Sequence, residues 1–380
     1  MRVLITGACG FVGSTLARGL LESRHNVEIW GIDNFIREGS RSNAAPLTAL
    51  GVKIIEGDIR RPVDLARLPR VDWVLDCAAE PGVLAGVDGR MSSFDLMDHN
   101  LIGTIQVLEF CKQHRAGLIL LSTSRVYSIP PLAGLPVEVI DEAYRPVRYA
   151  PENGLNEAGI SELFPTNPPQ SLYGVSKRCA ELLALEYSEA YRFPVWINRC
   201  GVLAGKGQFG KADQGIFSFW IQSWKQGRSL SYIGFDGSGS QVRDCLHPQD
   251  LMPVVLKQME GAPPVLQADG IDPRICNFGG GQENAMSLAQ LSRWCTEKLG
   301  PKSIGSIATP RPYDLPWVVI DASRAARMWH WQPITSVDEI LNEILASSTP
   351  ENRGSPTTLL NALAEGGSSD SRRGTTRLPE

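Results

Sequence analysis

The sequence predicts an α/β protein in which a doubly wound parallel sheet is followed by a smaller α/β domain. Three observations predict this architecture. Strand-like and helix-like segments alternate through the first third of the chain, which is typical of a parallel sheet with helices on both faces. A glycine-rich turn joins the first strand to the first helix. After residue 200 the alternation gives way to glycine-rich loops and shorter elements. We therefore expect one domain over residues 1–200 and a second over residues 201–346.

The spacing of apolar residues places the individual elements. Short apolar runs, which are typical of buried strands, lie at residues 3–5, 27–30, 52–55, 71–77, 118–121 and 195–197. Helical spacing of apolar residues predicts helices near residues 11–21, 101–110 and 172–191. We also expect a later strand, near residues 243–247, to join the first domain.

Two stretches do not follow the alternation. Residues 128–170 are rich in Pro, Glu and Asn and show no sustained periodicity, so we interpret them as an insertion into the first domain that borders the active site. A stretch of this length without clear elements is usually functional or disordered. Residues 347–380 consist largely of Ser, Gly, Pro, Thr and Arg with little to bury, and we predict a disordered tail.

The composition narrows the class of protein. The 380 residues carry a net charge of −4, which gives no indication of a nucleic-acid-binding surface or a polybasic membrane anchor. No apolar run approaches the ~20 residues that cross a bilayer. The N-terminus runs directly into a strand and does not resemble a signal peptide. The eight cysteines and five histidines show no metal-site spacing, and we interpret the cysteines as free thiols of a cytoplasmic protein.

The first motif is a set of glycines that follows the first strand. Gly7, Gly10 and Gly13 stand three residues apart where the strand gives way to a helix. In that context the first glycine permits a tight turn, the second lets the backbone approach a pyrophosphate, and the third lets helix and strand pack closely. The pyrophosphate then lies on the helix N-terminus, next to Phe11 and Val12. The alternative is a plain turn with packing glycines.

An acidic residue at the end of the second predicted strand indicates which dinucleotide binds. Asp33 lies 20 residues beyond Gly13, about the spacing of a carboxylate that accepts hydrogen bonds from the adenosine ribose. A carboxylate there repels a 2′-phosphate, so the sequence predicts a Rossmann-type fold that binds NAD rather than NADP. The alternative is an aspartate that caps a loop.

Further cofactor contacts are expected around the same edge of the sheet, because ligands of doubly wound sheets bind at the carboxyl ends of the strands. Small residues there leave room for the cofactor. The predicted contacts are Asn34, Asp58, Ile59, Ala78, Ala79, Asn100, Ser122 and Cys200.

Tyr173 and Lys177 form the second motif. On the predicted helix they stand four residues apart, so both side chains share one face. A nearby ammonium and an oxidised nicotinamide favour the phenolate and lower the pKa of the phenol from its usual value near 10. Such a tyrosine can take a proton from a substrate hydroxyl while a hydride leaves to NAD. On its own, the spacing is more often an exposed pair on a helix.

A buried strand that ends in hydroxyl side chains supplies the third element. It runs from residue 120 to residue 127 and includes Ser122 and Thr123. A hydroxyl at this strand end can hydrogen-bond the oxygen that is being oxidised and assist the phenol in proton transfer. The alternative is a Ser/Thr turn without a chemical role.

Together these residues resemble the extended short-chain dehydrogenase/reductase superfamily, and within it the NAD-dependent epimerase/dehydratase family. The matching segments are G-A-C-G-F-V-G at 7–13, Asp33, Asp58, S-T-S-R-V-Y at 122–127 and Y-G-V-S-K at 173–177. The resemblance covers about residues 1–345. It implies that Thr123, Tyr173 and Lys177 are catalytic, that the substrate is a nucleotide-linked sugar, and that the protein is a homodimer built through a helix bundle.

The resemblance also implies where the substrate binds. Residues 241–244, Q-V-R-D, are similar to the family segment whose arginine binds the diphosphate, which assigns Arg243. Residues 311–314, R-P-Y-D, are similar to an element that contacts phosphate and ribose, which assigns Arg311 and Asp314. Gln214 is a further expected contact. A guanidinium matches phosphate oxygens bidentately, although surface ion pairing is the alternative.

Within the family, the stretches at residues 207–209, 213–215 and 241–247 are most similar to the CDP-tyvelose (CDP-paratose) 2-epimerases. Other positions depart from the family pattern. Sugar dehydratases of the family carry Asp-Glu directly after the catalytic threonine, where this chain has Ser124 and Arg125. Val202 stands where an asparagine often helps to hold the diphosphate, and Asp76 stands where many relatives have histidine.

These features predict an epimerase that passes a hydride from a sugar carbon to bound NAD and back. Two alternatives remain open. A dehydrogenase or reductase would form NADH or consume it, whereas an epimerase forms none. A non-catalytic NAD-binding protein would have no use for Thr123, Tyr173 and Lys177 together.

Overall fold

The chain begins with a strand that runs into a tight glycine turn. The computed structural model describes residues 1–23, 26–211, 214–261 and 270–347. From residue 348 onwards, the predicted disordered tail lies outside the described residues. Asp213, in the stretch 213–215 that is similar to the 2-epimerases, also lies outside them. No helix in the described part of the chain is long and apolar enough to cross a membrane.

Strands and helices alternate regularly in the first 200 residues and less regularly afterwards. The strands are β1 (Arg2–Thr6), β2 (Glu28–Asp33), β3 (Lys53–Glu56), β4 (Trp73–Asp76), β5 (Gly117–Thr123), β6 (Val137–Ile140), β7 (Ala143–Pro146), β8 (Leu155–Asn156), β9 (Gly159–Ile160), β10 (Val195–Cys200), β11 (Val202–Leu203), β12 (Ser231–Ile233), β13 (Val242–Leu246), β14 (Ile275–Phe278), β15 (Ala285–Ser287), β16 (Gly305–Ile307) and β17 (Trp317–Val318). The α-helices are α1 (Phe11–Glu22), α2 (Ala44–Ala49), α3 (Pro62–Leu65), α4 (Ser93–Met97), α5 (Gly103–His114), α6 (Ile129–Ala133), α7 (Leu172–Tyr191), α8 (Ile216–Lys225), α9 (Met252–Glu260), α10 (Leu288–Leu299), α11 (Ser323–Trp329) and α12 (Val337–Ala346).

The main sheet has seven strands in the order β3-β2-β1-β4-β5-β10-β14, and all of its pairs are parallel. The chain moves outward from β1 in one direction and then returns to build the other half from β4. This reversal between β1 and β4 is the switch point at which doubly wound sheets bind ligands. The predicted fold class, a Rossmann-type doubly wound parallel sheet, is confirmed.

The strand near residues 243–247 is β13, which is not part of this sheet, and its expected place in the first domain stays a prediction. The seventh strand is β14, whereas β13 pairs with β11, β15 and β17 in a separate small sheet. A parallel sheet covered on both faces favours strands that are apolar throughout. Strand β14 is buried at all four positions, but β13 carries Arg243 and Asp244 at its centre.

Two apolar layers cover the faces of the main sheet. On one face, residues of α1, α9 and α11 pack against the strands, with Leu16, Val255 and Met328 almost fully buried. On the other face α5 and α7 do the same, with Leu108 and Ala184 fully buried. Helices α9 and α11 follow residue 200 and still pack on the main sheet. The predicted domain boundary at residue 200 therefore stays a proposal.

A third apolar cluster lies among the later elements. Helices α8, α10 and α12 contribute Trp220, Leu291 and Ile344 to it, and each of these residues is nearly inaccessible to solvent. The Trp220 ring stacks on Tyr232 with ring centroids 5.6 Å apart. All three helices follow residue 200, where the sequence predicts a second domain, and that division stays a prediction.

The region 128–170 is built of short elements rather than lacking structure. It holds α6 and two small hairpins, β6–β7 and β8–β9, whose apolar residues form a fourth cluster with β13 and β17. Backbone hydrogen bonds tie it to later residues, among them those from the Tyr144 N–H to the Ser240 carbonyl and from the Ile160 N–H to the Val319 carbonyl, both 2.8 Å long. Elements of two to five residues are too short to produce a visible period, which explains why the pattern did not predict them.

Candidate active site

The glycine turn after β1 leaves the N-terminus of α1 open to a ligand. Gly7 has a φ of +59°, and its carbonyl accepts a hydrogen bond from the Gly10 N–H at 3.0 Å. A Cβ on Gly13 would lie 2.3 Å from the same carbonyl oxygen, so this position accepts glycine alone without a shift. Gly10 is the N-cap of α1, and no side chain caps the helix there. This cradle fits the pyrophosphate of a dinucleotide.

Asp33, at the end of β2, reinforces the turn. Its Oδ2 accepts a hydrogen bond from the Cys9 N–H at 2.9 Å, and its Oδ1 accepts one from the Phe35 N–H at 2.8 Å. Burial raises the pKa of this carboxyl, and the backbone donors oppose the rise. Each carboxylate oxygen has a second lone pair, which can accept a ribose hydroxyl.

The next strand end along the sheet carries a polar cluster. The Asn34 side-chain amide donates to Asp58 at 3.0 Å, and Arg60 forms ion pairs with Asp58 and Asp98 at 2.6 and 2.8 Å. Burial opposes ionisation of Asp58, but Arg60 and Asn34 hold the pKa of Asp58 below its usual range. This cluster is a charged wall at the adenine end of the proposed cofactor site.

Helix α7 carries the tyrosine and the lysine into the cleft. The helix begins at Ser171, whose hydroxyl caps it by accepting a hydrogen bond from the Gly174 N–H at 3.0 Å. Tyr173 and Lys177 both line the cleft from this face. Thr123 ends β5 in the same cleft, and its hydroxyl oxygen accepts a hydrogen bond from the Arg125 N–H at 3.2 Å.

Burial dominates the electrostatics of this group. It raises the pKa of Tyr173 to about 12, and the Thr123 hydroxyl and the Arg125 guanidinium oppose the rise. Burial also lowers the pKa of Lys177, while the buried carboxylate of Asp76 acts in the opposite direction. The phenol therefore stays protonated at neutral pH unless further positive charge comes close to it.

Arginines gather at the other end of the cleft. Arg243, on β13, forms an ion pair with Oδ1 of Asp314 at 2.9 Å. Arg311 forms one with Oδ2 of the same carboxylate at 3.0 Å. Gln214 lies in the cleft wall, and its side-chain carbonyl accepts a hydrogen bond from Arg37. Guanidinium groups in this arrangement can hold a phosphate or diphosphate.

The structure brings nearly all of the predicted site residues into one continuous cleft at the switch point of the sheet. Asn100 is the exception. Its side chain is buried, donates hydrogen bonds to the Glu80 carbonyl and the Ser176 hydroxyl, and accepts one from the Glu80 N–H. These contacts hold the loop after β4 in place and keep Asn100 out of the cleft wall, and its predicted cofactor contact stays a prediction. The roles of the other residues stay predictions.

Sequence reasoning missed several charged residues of the cleft wall, among them Arg37 and Arg125. Arg37 joins the loop after β2 to the Gln214 side chain and to the Phe209 carbonyl. The loop that holds Arg37 matches no recognised sequence pattern, so the sequence does not indicate that Arg37 lines the cleft. Arg125 was noted only as a departure from the Asp-Glu pair of the dehydratases, and that departure was the available signal.

Ser122 connects the cleft to a buried ion pair beneath it. Its hydroxyl donates to Glu181 on α7, whose carboxylate pairs with Arg199 on β10 at 2.7 Å. Burial disfavours the charge of Glu181, but Arg199 outweighs that effect and holds the pKa of Glu181 below its usual value. This pair joins α7 to the sheet and fixes the helix that carries Tyr173.

Comparison with known proteins was made on the whole chain. The model of the NAD-dependent epimerase/dehydratase family matches residues 3–265. The chain is 26% identical to the CDP-paratose 2-epimerase of Salmonella typhi over 351 residues, which cover 89% of this chain and 96% of that protein. It is 25% identical to UDP-glucuronate 4-epimerase 4 of Arabidopsis thaliana, over 90% of this chain and 74% of that one. Among solved structures, the UDP-glucuronic acid 4-epimerase of Bacillus cereus, in complex with UDP-glucuronic acid and NAD, superposes with a TM-score of 0.71 at 24% identity, over 91% of this chain and 98% of that one.

Proposed function

Because the chain belongs to the NAD-dependent epimerase/dehydratase family, we propose that it is a nucleotide-sugar epimerase that binds NAD and uses Tyr173 as its acid–base group. One observation carries this proposal. Thr123, Tyr173 and Lys177 share a single cleft with a glycine cradle on one side and an arginine cluster on the other. A nucleotide sugar held by its diphosphate at the arginines can present its sugar to the tyrosine.

NAD bound at the glycine turn would supply a hydride acceptor and later a hydride donor. Tyr173 takes the proton of the sugar hydroxyl as the carbon is oxidised and gives it back when the carbon is reduced on its other face. The Thr123 hydroxyl can donate its proton to the same sugar oxygen. Its own oxygen accepts a hydrogen bond from the Arg125 N–H, which holds it in place. The ammonium of Lys177 favours the phenolate, which the burial of Tyr173 alone would disfavour.

Epimerisation is favoured over dehydration by the residues after Thr123. Loss of water from a sugar needs an acid and a base besides the tyrosine, and the dehydratases that this chain resembles carry Asp-Glu at that point. Here the positions hold Ser124 and Arg125, and both line the cleft. Neither side chain can take up and return protons at neutral pH.

The nucleotide is proposed as CDP or UDP. The relatives named above act, by their names, on CDP- and UDP-linked sugars, and the likeness to the CDP-paratose 2-epimerase spans nearly the full length of both chains.

We also propose a cytoplasmic homodimer, as the family resemblance implies. Light scattering of the purified protein tests the oligomeric state.

The proposed function is tested by incubating the NAD-loaded protein with CDP-, UDP- and dTDP-linked sugars. Nuclear magnetic resonance identifies the sugar product, and absorbance follows NADH. We expect one substrate to give an epimer without accumulation of NADH. Stoichiometric formation of NADH would instead identify a dehydrogenase. If the wild-type protein and Tyr173→Phe are equally inactive on every sugar nucleotide tried, the proposal is contradicted.

A further inference from the structure

Arg125 physically connects the catalytic group to the arginine cluster. Its backbone N–H donates to the Thr123 hydroxyl oxygen at 3.2 Å. At the other end of the residue, the guanidinium Nη1 donates to the Tyr313 carbonyl at 3.1 Å. Tyr313 lies between Arg311 and Asp314, and its φ of +61° is one that a tyrosine rarely adopts. Strain of this kind persists where the surrounding structure holds the residue in place, often at a ligand site.

The backbone of Arg125 is fixed as tightly as its side chain. A Cβ on Gly174, the residue after Tyr173, would lie 2.3 Å from the Arg125 carbonyl oxygen. The start of α7 therefore packs directly on the Arg125 peptide, which places this residue against the helix turn that carries Tyr173. The backbone of Arg125 therefore lies at the reacting end of the cleft, while its guanidinium reaches the arginine cluster.

The charges of the cluster do not balance within the protein. Arg125, Arg243 and Arg311 interact with a common carboxylate, Asp314, whose two oxygens are already paired with Arg243 and Arg311. Asp244 follows Arg243 and interacts with its charge, but burial raises the pKa of Asp244 to about 7, so this carboxyl is only partly ionised at neutral pH. Burial lowers the pKa of Arg125 to about 10, so its guanidinium is still charged at neutral pH. Three cations thus face one shared anion.

We propose that Arg125 is a third anion-binding residue of the substrate site and that it binds the substrate diphosphate on the side that faces Thr123 and Tyr173. This inference rests on the proposed function, since it assigns a contact to the same nucleotide sugar. The excess positive charge of the cluster is matched by a diphosphate diester, in which each phosphate has lost one proton at neutral pH. A cation at this point draws the diphosphate toward the tyrosine and so positions the attached sugar.

The proposal makes Arg125 a positioning residue with two measurable effects. The affinity for a nucleoside diphosphate should depend on it, because a charge-assisted hydrogen bond is lost when it is removed. Turnover should fall as well, because the sugar is no longer held at Thr123. A nucleoside monophosphate, which lacks the second phosphate, should bind Arg125 variants almost as well as it binds the wild type.

The test is calorimetry of the NAD-loaded protein with UDP and CDP, and with UMP and CMP as the matched monophosphates. We expect Arg125→Met to weaken binding of the tighter-binding diphosphate by ~10-fold to 100-fold. Binding of the corresponding monophosphate should change by less than about threefold. Arg145→Met is the control, because Arg145 is an exposed arginine on β7 outside the cleft wall and its loss changes the net charge equally.

Arg125→Lys keeps the charge without the planar fork and should give an intermediate affinity, which also covers the case in which Arg125→Met fails to fold. An unchanged diphosphate affinity in the folded Arg125→Met or Arg125→Lys protein, with Arg243→Ala weakened, overturns the inference and leaves the proposed function intact. Equal loss of monophosphate, diphosphate and NAD binding also overturns it, since that pattern indicates a structural role. If the wild type binds neither diphosphate, the proposed function itself fails together with the inference.

Discussion

The two ends of the cleft are built on different principles. At the cofactor end, a short continuous segment from Gly7 to Gly13 forms a cradle of backbone groups, and Asp33 adds one carboxylate that is itself held by backbone N–H donors. At the substrate end, the binding groups are side chains that come from distant parts of the chain, with Arg243 on β13 and Arg311 in a loop. One end is local in sequence and the other is assembled by the fold.

This difference has a chemical basis. A pyrophosphate on a helix N-terminus needs amide hydrogens and close approach, which a glycine turn supplies within one supersecondary unit. A diphosphate bound by side chains needs several guanidiniums at fixed distances, and neighbouring residues of one strand cannot all point the same way. Substitutions at one end should therefore change either NAD affinity or nucleoside-diphosphate affinity, but not both. Tyr173 belongs to neither end, so its substitution should change turnover and leave both affinities intact.

The largest effect is expected for Tyr173→Phe. The ring and its packing remain while the ionisable oxygen is lost, so the variant should fold and bind both NAD and a nucleoside diphosphate. Turnover should fall by ~10²–10⁴-fold, the usual contribution of general acid–base catalysis. Steady-state kinetics and quantification of bound NAD check this. Tyr187→Phe on the same helix is the control, because its hydroxyl donates to Glu109 rather than facing the cleft. Near-normal turnover in Tyr173→Phe would show that another group is the base.

Arg243→Ala should damage the substrate end alone. It removes the guanidinium that pairs with Asp314 at 2.9 Å, and Asp314 keeps its contact with Arg311. Loss of a charge-assisted contact should weaken binding of a nucleoside diphosphate by about 1.5–3 kcal/mol. Calorimetry with UDP and CDP measures this, and NAD affinity should stay within experimental error. Equal weakening of NAD would mean that the two ends are not independent.

Gly13→Ala should damage the cofactor end alone. Its methyl group would lie 2.3 Å from the Gly7 carbonyl oxygen and 2.9 Å from the Ala8 Cα, both of which are backbone atoms. Overpacking of this kind costs about 1–3 kcal/mol. Gly10→Ala is the matched control for folding, because its closest contact would be 3.2 Å. Thermal unfolding should show the larger loss for Gly13→Ala, with diphosphate binding preserved in both. Normal NAD affinity in Gly13→Ala would contradict the assigned cradle.

The smallest effect is expected at Asp33. Asp33→Asn should lower NAD affinity by about 0.5–1.5 kcal/mol and narrow the preference for NAD over NADP, since the charge that repels a 2′-phosphate is gone. Lowering the pH should likewise narrow the preference of the wild-type protein for NAD over NADP. Burial raises the pKa of Asp33, so the carboxylate is neutralised at a higher pH than an exposed aspartate, and the preference should narrow as pH falls. Parallel titrations with NAD and NADP over a pH series test both statements, and a preference that is independent of Asp33 and pH would refute them.

What the sequence predicted follows the same division. The cofactor end was predicted in detail because Gly7, Gly13 and Asp33 obey a fixed spacing inside one strand–helix–strand unit. Helix α7, with Tyr173 and Lys177, was predicted for its whole length from its period. Asn100 could be assigned to a segment near the strand ends, but the sequence could not show that its side chain turns away from the cleft toward Glu80 and Ser176.

The substrate end resisted prediction because its residues meet only in three dimensions. The pairing of β13 outside the main sheet could not be deduced from its five residues, which do not show which strands they pair with, and β14 was not recognised. Arg125 lies two residues after Thr123, yet nothing in that spacing shows that its guanidinium reaches the Tyr313 carbonyl. Family resemblance assigned Arg243 and Arg311, and it had no counterpart for Arg125.

The region 128–170 also has a consequence for the order in which the protein can be made. Its side chains and the strand end before it pair with partners far along the chain: Tyr127 with Asn277, Glu162 with the Asn277 N–H, and Asn156 with Asp321, at separations of 150, 115 and 165 residues. A ribosome that has released the first 200 residues has made the whole cofactor cradle and Tyr173 but none of these partners. The packing of region 128–170 is therefore completed late in synthesis, as is that of the main sheet, whose strand β14 and covering helices α9 and α11 also follow residue 200.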